Sequence, residues 1–489
     1  MSGSELSGKK VTVMGLGLHG GGLASARYLC EQGAEVTVTD LRSESDLIGS
    51  LDQLGALPLK LVLGRHEERD FRDADVVVKN PAVPRSSAYL AMARCIETDI
   101  SLFLRSCTAQ VIAVTGTKGK STTAAAIHHI LTRLGARSHL GGNIAISPLA
   151  FLPELQARHF VVLELSSFQL GDLRLVAGAE QLLQPRVAMI TNLMLDHMDY
   201  YASFEDYFAD KALVFSGQSG ADVTLYNQDD RYGPRYAALT PAQPIALSHS
   251  ALNRMSDTAD GNSNRAAAWL EHDCGRFRRR GSAAELILPE TVTLVGEHNR
   301  FNLLFAATAV RCLGFPAAEI AAAAARFGGV AHRMQNVASV DEVDYYNDSA
   351  ATIAEAALAA VESFTQPVHL IAGGSDKRLD LSLFKQIAAR SRALYLLSGS
   401  ATDRIVALLQ SSAAVWYGPF HTLAAAVTAA RRNAQRGEAV VLSPGCASFG
   451  MFRNEFHRGD SFCEIVHSFA PAARSGTPTT GGNDNAAHN

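Results

Sequence analysis

The sequence predicts an α/β protein of three consecutive domains: Rossmann-like at the N-terminus, P-loop-type in the centre and Rossmann-like at the C-terminus. Three observations predict it. Short apolar runs that end in small-residue turns ("VTVMG", "VIAVTG", "VHLIAGG") recur along the whole chain, the pattern of parallel strands feeding loops at one edge of a sheet. The first two run into glycine-rich turns that open apolar helices. And 489 residues exceed what one hydrophobic core accommodates, so the repeated pattern divides into domains. We place these at 1–107, 108–328 and 329–472, with a disordered Gly/Thr/Asn-rich tail over 473–489.

In the first domain Val11–Met14 reads as a buried strand, about Gly22 to Gln32 as a helix, and "AEVTVTD" as a strand ending at Asp40. "ADVVVKNPAVP" is a further strand, closed by prolines. The second domain opens at "QVIAVTGTKGKSTT" and holds "HFVVLELSSFQL" and "VAMITNLMLDHMDYY", each a strand running into a loop. The polar stretch "SALNRMSDTADGNSNRA" reads as a loop, and "VTLVGEHNRFNLLFAATAVRCLG" as a turn before a long helix. The third domain starts near "GGVAHRMQ" and repeats the strand–loop pattern in "VHLIAGGSDK", "ALYLLSGS" and "EAVVLSPGCASFGMF". Sheets of this kind bind ligands at the C-terminal ends of their strands.

Bulk properties exclude several classes. A net charge of −4 with 47% apolar and 19% charged residues is a soluble globular composition, without a basic stripe for nucleic acid. No apolar run is long enough for a membrane span, and the polar start "MSGSELSGKK" is not a signal peptide. The seven cysteines are scattered, odd in number and form no C-x-x-C pair, which reads as reduced cytoplasmic thiols rather than disulfides or a zinc site.

The chemistry-bearing motifs lie at the strand ends. "TGTKGKST" lacks the first glycine of G-x-x-x-x-G-K-[ST], Val114 standing in its place. The strand before it and the helix after it still favour an anion site. Gly116, Thr117, Lys118 and Gly119 would turn backbone N–H groups onto phosphates, Lys120 would neutralise them, and Ser121 or Thr122 would reach Mg²⁺. The bland alternative is a strand–helix turn with a surface lysine. "GLGLHG" spaces Gly15, Gly17 and Gly20 as a dinucleotide loop does, with Asp40 downstream, and suits NAD or a UDP-sugar alike; His19 faces ligand or solvent. Glu164, Ser166, Ser167 and Gln169 on one strand end, and Asp196 and His197 on another, suit Mg²⁺, although each alone reads as loop capping; Asp196 is a Walker-B-like candidate. By helix statistics Lys211 is a surface lysine. Asn299 and Asn302, three apart near a helix start, suit a planar ligand edge or capping. His332 and Arg333 flank the last domain junction, where an arginine can meet phosphates or pair with a carboxylate.

Taken in order, "GLGL", "GGNI", "LELSSFQL", "LDHMDYY", "GEHNRFN", "HR", "NDSAAT", "GGSDK" and "SPGCASFGMF…RG" resemble the Mur ligases, ATP-dependent amide-bond ligases of peptidoglycan precursor synthesis, over residues 8 to 470. The likeness is greatest to the members that add D-glutamate. The family's phosphate loop is a shorter G-T-x-G-K-[ST]-T form that begins at Gly116, so Val114 is no defect; Lys118 stands where the family usually has Asn.

The resemblance implies a set of ligands and roles. UDP-N-acetylmuramoyl-L-alanine would lie against Leu18, His19, Asp40, Leu41, Arg42 and Asn80–Pro81–Ala82, with Asn143, Ser166 and Gln169 at its muramoyl part. ATP would be held by Gly119, Lys120, Ser121, Thr122, Asn299, Asn302, Arg333 and Asp348 in a central ATPase domain, and Mg²⁺ by Ser121, Glu164, His197 and a carbamylated Lys211. Glutamate would meet Thr352, Lys377, Ser448 and Phe449. Lys120, Glu164, His197, Lys211 and Arg333 would be the catalytic residues of a cytoplasmic monomer with neither nucleic-acid nor membrane partner. Two departures bear on the amino acid: Ala350 replaces the lysine of Asp-Ser-Lys-Ala-Thr, and Glu455–Phe456 reverses the family's aromatic–acid order. They keep L-glutamate, or another amino acid, as the alternative substrate. An NAD-dependent oxidoreductase built on "GLGLHG" is the rival from another class and leaves the Gly116 loop and Glu164 unexplained; a non-catalytic UDP-sugar binder leaves Lys120, Glu164, His197 and Lys211 unexplained.

Overall fold

The computed structural model describes residues 5–17, 20–144, 146–197, 200–250, 266–294, 296–376, 380–410, 412–448 and 450–469. Leu18, His19, Lys377, Phe449, most of the polar stretch before residue 266 and the tail lie outside the described residues. The described residues form three sheets, in two compact units, Met1–Val330 and Ala331–Asn489.

The first sheet is fully parallel, in the order β3-β2-β1-β4-β5, from β1 (Lys10–Met14), β2 (Glu35–Asp40), β3 (Leu59–Leu63), β4 (Val76–Lys79) and β5 (Ile96–Glu97). Its central strands are valine-rich and β4 is buried throughout, as covered parallel strands require. The winding reverses between β1 and β4, so the glycine loop after β1 and the Asn80 turn after β4 face each other across the crevice.

The second sheet has nine strands: β6 (Gln110–Thr115), β7 (Ser138–Gly142), β8 (Phe160–Glu164), β9 (Val187–Ile190), β10 (Val223–Asn227), β11 (Gln243–Ser248), β12 (Ala267–Glu271), β13 (Cys274–Arg278) and β14 (Glu285–Leu288). Their order is β14-β13-β12-β11-β10-β9-β6-β8-β7, parallel except at the β12–β13–β14 end. Winding reverses at β6, which puts the Gly116 loop at the switch point. One apolar cluster runs from Val11 and Val76 of the first sheet through Phe103 and Phe151 to Val161 and Ala188 of the second. The other face of the second sheet packs under the helices Lys120–Arg133 and Glu297–Cys312 through Ile127, Leu131 and Leu304.

In the second unit β15 (Gln335–Val340), β16 (Val343–Asn347), β17 (Val368–Gly373), β18 (Ala393–Leu397), β19 (Trp416–Phe420) and β20 (Ala439–Leu442) pair in the order β15-β16-β20-β17-β18-β19, with only the β15 edge antiparallel. Each face has its own apolar cluster, one around Leu370 and Phe384, the other around Tyr395 and Phe462. The mixed α/β architecture agrees with the expectation from sequence. All seven cysteines are unpaired. Among the described residues no helix is long and apolar enough to cross a membrane.

Candidate functional site

The loop after β6 is shaped by two glycines whose backbone and surroundings disfavour any side chain. Gly116 and Gly119 have φ of 147° and 80°, and a Cβ would collide with Thr191 Oγ1 at the first and Asn302 Oδ1 at the second. The helix Lys120–Arg133 that follows starts from Gly119 without a side-chain cap, an arrangement that suits an anion at its N-terminus. The segment after β9 braces the loop from behind. Asn192 accepts from Lys118 N at 2.8 Å and donates to Lys118 O at 3.1 Å; Thr191 Oγ1 donates to the same carbonyl at 2.6 Å; Met194 N donates to Thr117 Oγ1 at 3.0 Å. Lys120 Nζ donates to Thr117 O at 2.9 Å.

Lys211 lies under this loop, and the surface-lysine reading of it fails. The helix Phe204–Ala212 leaves it 2% exposed, its Nζ donating to Gly116 O at 2.8 Å and lying 4.7 Å from the centre of the Tyr207 ring. Burial, then the neighbouring Lys120, hold its ammonium well below the ordinary lysine range, against the pull of Asp196, Asp210 and Glu164. Glu164 ends β8 at 1% exposure. One carboxylate oxygen accepts from Asn143 Nδ2 at 3.0 Å; the other is buried with no hydrogen-bond partner. An orphaned buried carboxylate oxygen is what a cation would satisfy, so Glu164 fits Mg²⁺.

The other predicted ligands are more loosely placed. Asp196 and His197 stand beyond the end of β9 in the loop rather than on the strand end; His197 has φ 56°, an exposed ring packed against Phe168, and an amide that donates to Asp196 at 3.0 Å. Among the described residues no three His, Cys, Asp or Glu side chains converge as a metal cage. Asn299 and Asn302 do not cap their helix, whose cap is Gly296 without a side-chain bond; Asn302 instead packs on Gly119.

Around the first sheet, Asp40 accepts from Gly17 N at 3.1 Å and Arg42 N at 2.9 Å, so this acid holds the glycine loop itself. Asn80 donates to Gly15 O at 3.3 Å and accepts from Ala82 N at 3.1 Å, while Leu41 is 67% exposed. Ser166 and Gln169 form a reciprocal capping box on the helix Ser167–Asp172, a structural duty beside any contact to substrate.

In the second unit, burial raises the Asp348 carboxyl to about 6. It accepts from Ser443 Oγ at 2.7 Å and from Met334 N at 3.1 Å, next to Arg333. Ser448 is buried and Thr352 half-buried. Sequence reasoning missed the buried Arg458, which donates to Ser349 Oγ (3.0 Å), Ser349 O (2.9 Å) and Cys446 O (3.2 Å), tying the "DSAAT" loop to the "SPGCAS" loop. It also missed Asn192 and Asp230. The latter accepts from Leu193 N and from Tyr232 N (2.9 Å), fixing the segment that braces the phosphate loop. "NQDD" directly after a strand is the signal that could have found Asp230.

A phosphate loop at the switch point of one sheet, a buried lysine and an orphaned carboxylate behind it, and a second glycine-loop crevice in the same unit define an α/β nucleotide-binding enzyme class. Comparison with known proteins narrows it. Residues 9–101 match the Mur ligase MurD-like N-terminal domain and 114–310 the Mur ligase middle domain. The chain is 42% identical to the UDP-N-acetylmuramoylalanine--D-glutamate ligase of Roseiflexus sp. (strain RS-1), over 95% of this chain and all of that one. It is 38% identical to the ligase of the same name from Treponema pallidum (strain Nichols), over 94% and 97%. Among solved structures, UDP-N-acetylmuramate-alanine ligase MurC from Thermotoga maritima aligns over 94% of this chain and 99% of that one with a TM-score of 0.53 at 16% identity, a likeness of fold. The chain belongs to the Mur ligase family.

Proposed function

We propose that this protein is an ATP-dependent ligase that joins D-glutamate to UDP-N-acetylmuramoyl-L-alanine in cytoplasmic peptidoglycan precursor synthesis. The observation that carries the reading is the Gly116–Ser121 loop backed by buried Lys211 and by Glu164 with its orphaned oxygen, in a chain similar over its whole length to ligases of that name. A carboxylate is a poor acyl donor. The alanine carboxylate would attack the γ-phosphate of ATP, releasing ADP and leaving an acyl phosphate. The glutamate amine then adds to its carbonyl carbon, and collapse expels phosphate and leaves the amide. This chain's part is mostly positioning and charge: loop N–H groups and Lys120 hold the phosphates, and His197 orients the amine or takes its proton. Ser121, Glu164, His197 and Lys211 would hold Mg²⁺, which neutralises charge on the transferring phosphoryl group.

Lys211 suits carbamylation. Its depressed pKa favours the neutral amine, which adds CO₂ and gives up a proton to become an anion beside the metal. Arg333 and Asp348 are proposed as nucleotide contacts, and Thr352, Lys377, Ser448 and Phe449 as contacts of the amino acid. The three-domain division at 107/108 and 328/329 and the monomeric state belong to the same proposal. The test is phosphate release from ATP with UDP-N-acetylmuramoyl-L-alanine and Mg²⁺, adding D- and L-glutamate in separate reactions. Release with D-glutamate alone is expected. Release with L-glutamate alone would keep the mechanism and move specificity to Ala350 and Glu455–Phe456; silence with both sinks the substrate assignment.

A further inference from the structure

Arg85 sits in the turn after β4, five residues from Asn80, whose side chain packs against Gly15 of the first sheet's glycine loop. Its guanidinium leaves that sheet. Nε donates to Tyr200 Oη at 3.1 Å, one terminal nitrogen donates to Asp210 Oδ2 at 2.5 Å and the other to Gly171 O at 3.4 Å. The recipients lie on three different segments that follow strands of the second sheet, two helices and a turn, and each segment carries a residue of the candidate site. Gly171 is on the helix that starts from the Ser166–Gln169 capping box. Tyr200 N donates to His197 O at 3.0 Å, so the ring that Arg85 touches stands on the His197 turn. Asp210 immediately precedes Lys211. Arg174 adds a second bond to Asp210 at 3.1 Å, and a fully buried Lys79–Asp172 pair at 2.5 Å ties the end of β4 to the helix Ser167–Asp172. A planar fork with fixed donor directions transmits displacement better than a flexible point charge would.

We propose that Arg85 is a positioning residue that couples occupancy of the first sheet's crevice by the sugar nucleotide to the arrangement of Lys211 and His197 around the phosphate loop. The inference rests on the function proposed above. A mere inter-sheet tether would alter stability and leave the linkage between the two ligands intact. Titration calorimetry distinguishes them: UDP-N-acetylmuramoyl-L-alanine and a non-hydrolysable ATP analogue with Mg²⁺ are each titrated alone and in the presence of the other. In the wild type each ligand is expected to tighten the other by at least about fivefold. Arg85→Met and Asp210→Asn bring that factor close to one while leaving each Kd measured alone within about twofold. Arg85→Lys, which keeps the charge and loses the fork, loses most of the factor and stands in should Arg85→Met fail to fold. An unchanged factor in these variants, or a factor of one in the wild type, overturns the proposal. A wild type that binds neither ligand overturns the function reading along with it.

Discussion

At the scale of single residues, the loop at Gly116 depends on what is missing from its side chains. Gly119→Ala meets both a left-handed φ of 80° and the Asn302 amide. The backbone term alone is about 1–2 kcal/mol, so kcat/KM for ATP should fall about five- to thirtyfold; unchanged ATP kinetics would remove the loop from the phosphates. Lys211 makes a second case. If its buried neutral amine carries a carbamate, turnover measured in CO₂-depleted buffer falls and added bicarbonate restores it, whereas Lys211→Met turns over poorly in both. Asp348 gives a pH dependence. Its carboxyl is raised to about 6 by burial, so protonation as pH falls through 6 removes the negative charge proposed to meet the nucleotide, and KM for ATP should rise there. Ser443 Oγ donates to the ionised form and lowers that value; Ser443→Ala should move the acid limb to higher pH. A limb that stays in place would detach Asp348 from nucleotide binding.

At the scale of elements, periodicity carried most of what was legible. The strands that bear the site were visible because apolar runs break into glycine after β1 and β6 and into polar residues after β8 and β9, and the helix after β6 because small apolar residues follow. The β12–β13 hairpin was not visible: its turn is His272–Asp273, both left-handed at φ 48° and 61°, with no glycine to mark it. Ser166, Gln169 and Asp40 were legible as polar groups at strand ends, but the bond from Gly17 N to Asp40 was not, since the two lie 23 residues apart in the chain. Lys211 shows the same limit: helix statistics place a lysine in solvent, and only tertiary packing buries it. Another element-level consequence concerns the β7–β8 edge. His159 is 2% exposed with neither ring nitrogen hydrogen-bonded, and His139 stacks on it with ring centres 5.8 Å apart. Burial and the charges of His139, Arg137 and Arg158 hold the His159 pKa below the ordinary 6.5; burial does the same to His128. A depressed folded-state value means that the stability from the neutral rings is present above pH 6.5 and is lost as pH falls below it. His159→Phe should therefore flatten the fall in Tm between about pH 7 and 5; an unaltered slope would place the acid sensitivity elsewhere.

At the scale of the whole molecule, the cores divide the chain differently from the motifs. One apolar cluster joins the first sheet to a face of the second, so the crevice at Gly15 and the loop at Gly116 belong to one compact unit. The six-stranded sheet of the second unit has an apolar cluster on each face, both made wholly of its own residues. A fragment beginning at Ala331 should therefore unfold cooperatively on heating without the rest of the chain. The bonds from Thr191, Asn192 and Met194 that shape the phosphate loop lie within Met1–Val330, so a fragment ending at Val330 should retain affinity for nucleotide phosphates. Ligand that binds only the folded state stabilises it by about 2.7 kcal/mol at a hundredfold excess over Kd. That is a shift of a few degrees in Tm for a unit of this size. ATP with Mg²⁺ should produce the shift in the first fragment, Lys120→Ala should abolish it, and the second fragment should show none. A first fragment that folds but ignores ATP would mean that the loop bonds are insufficient and that Arg333 and Asp348 carry most of the nucleotide affinity. A second fragment that fails to fold would mean that its two clusters, complete as they are, do not outweigh the entropy of ordering its chain.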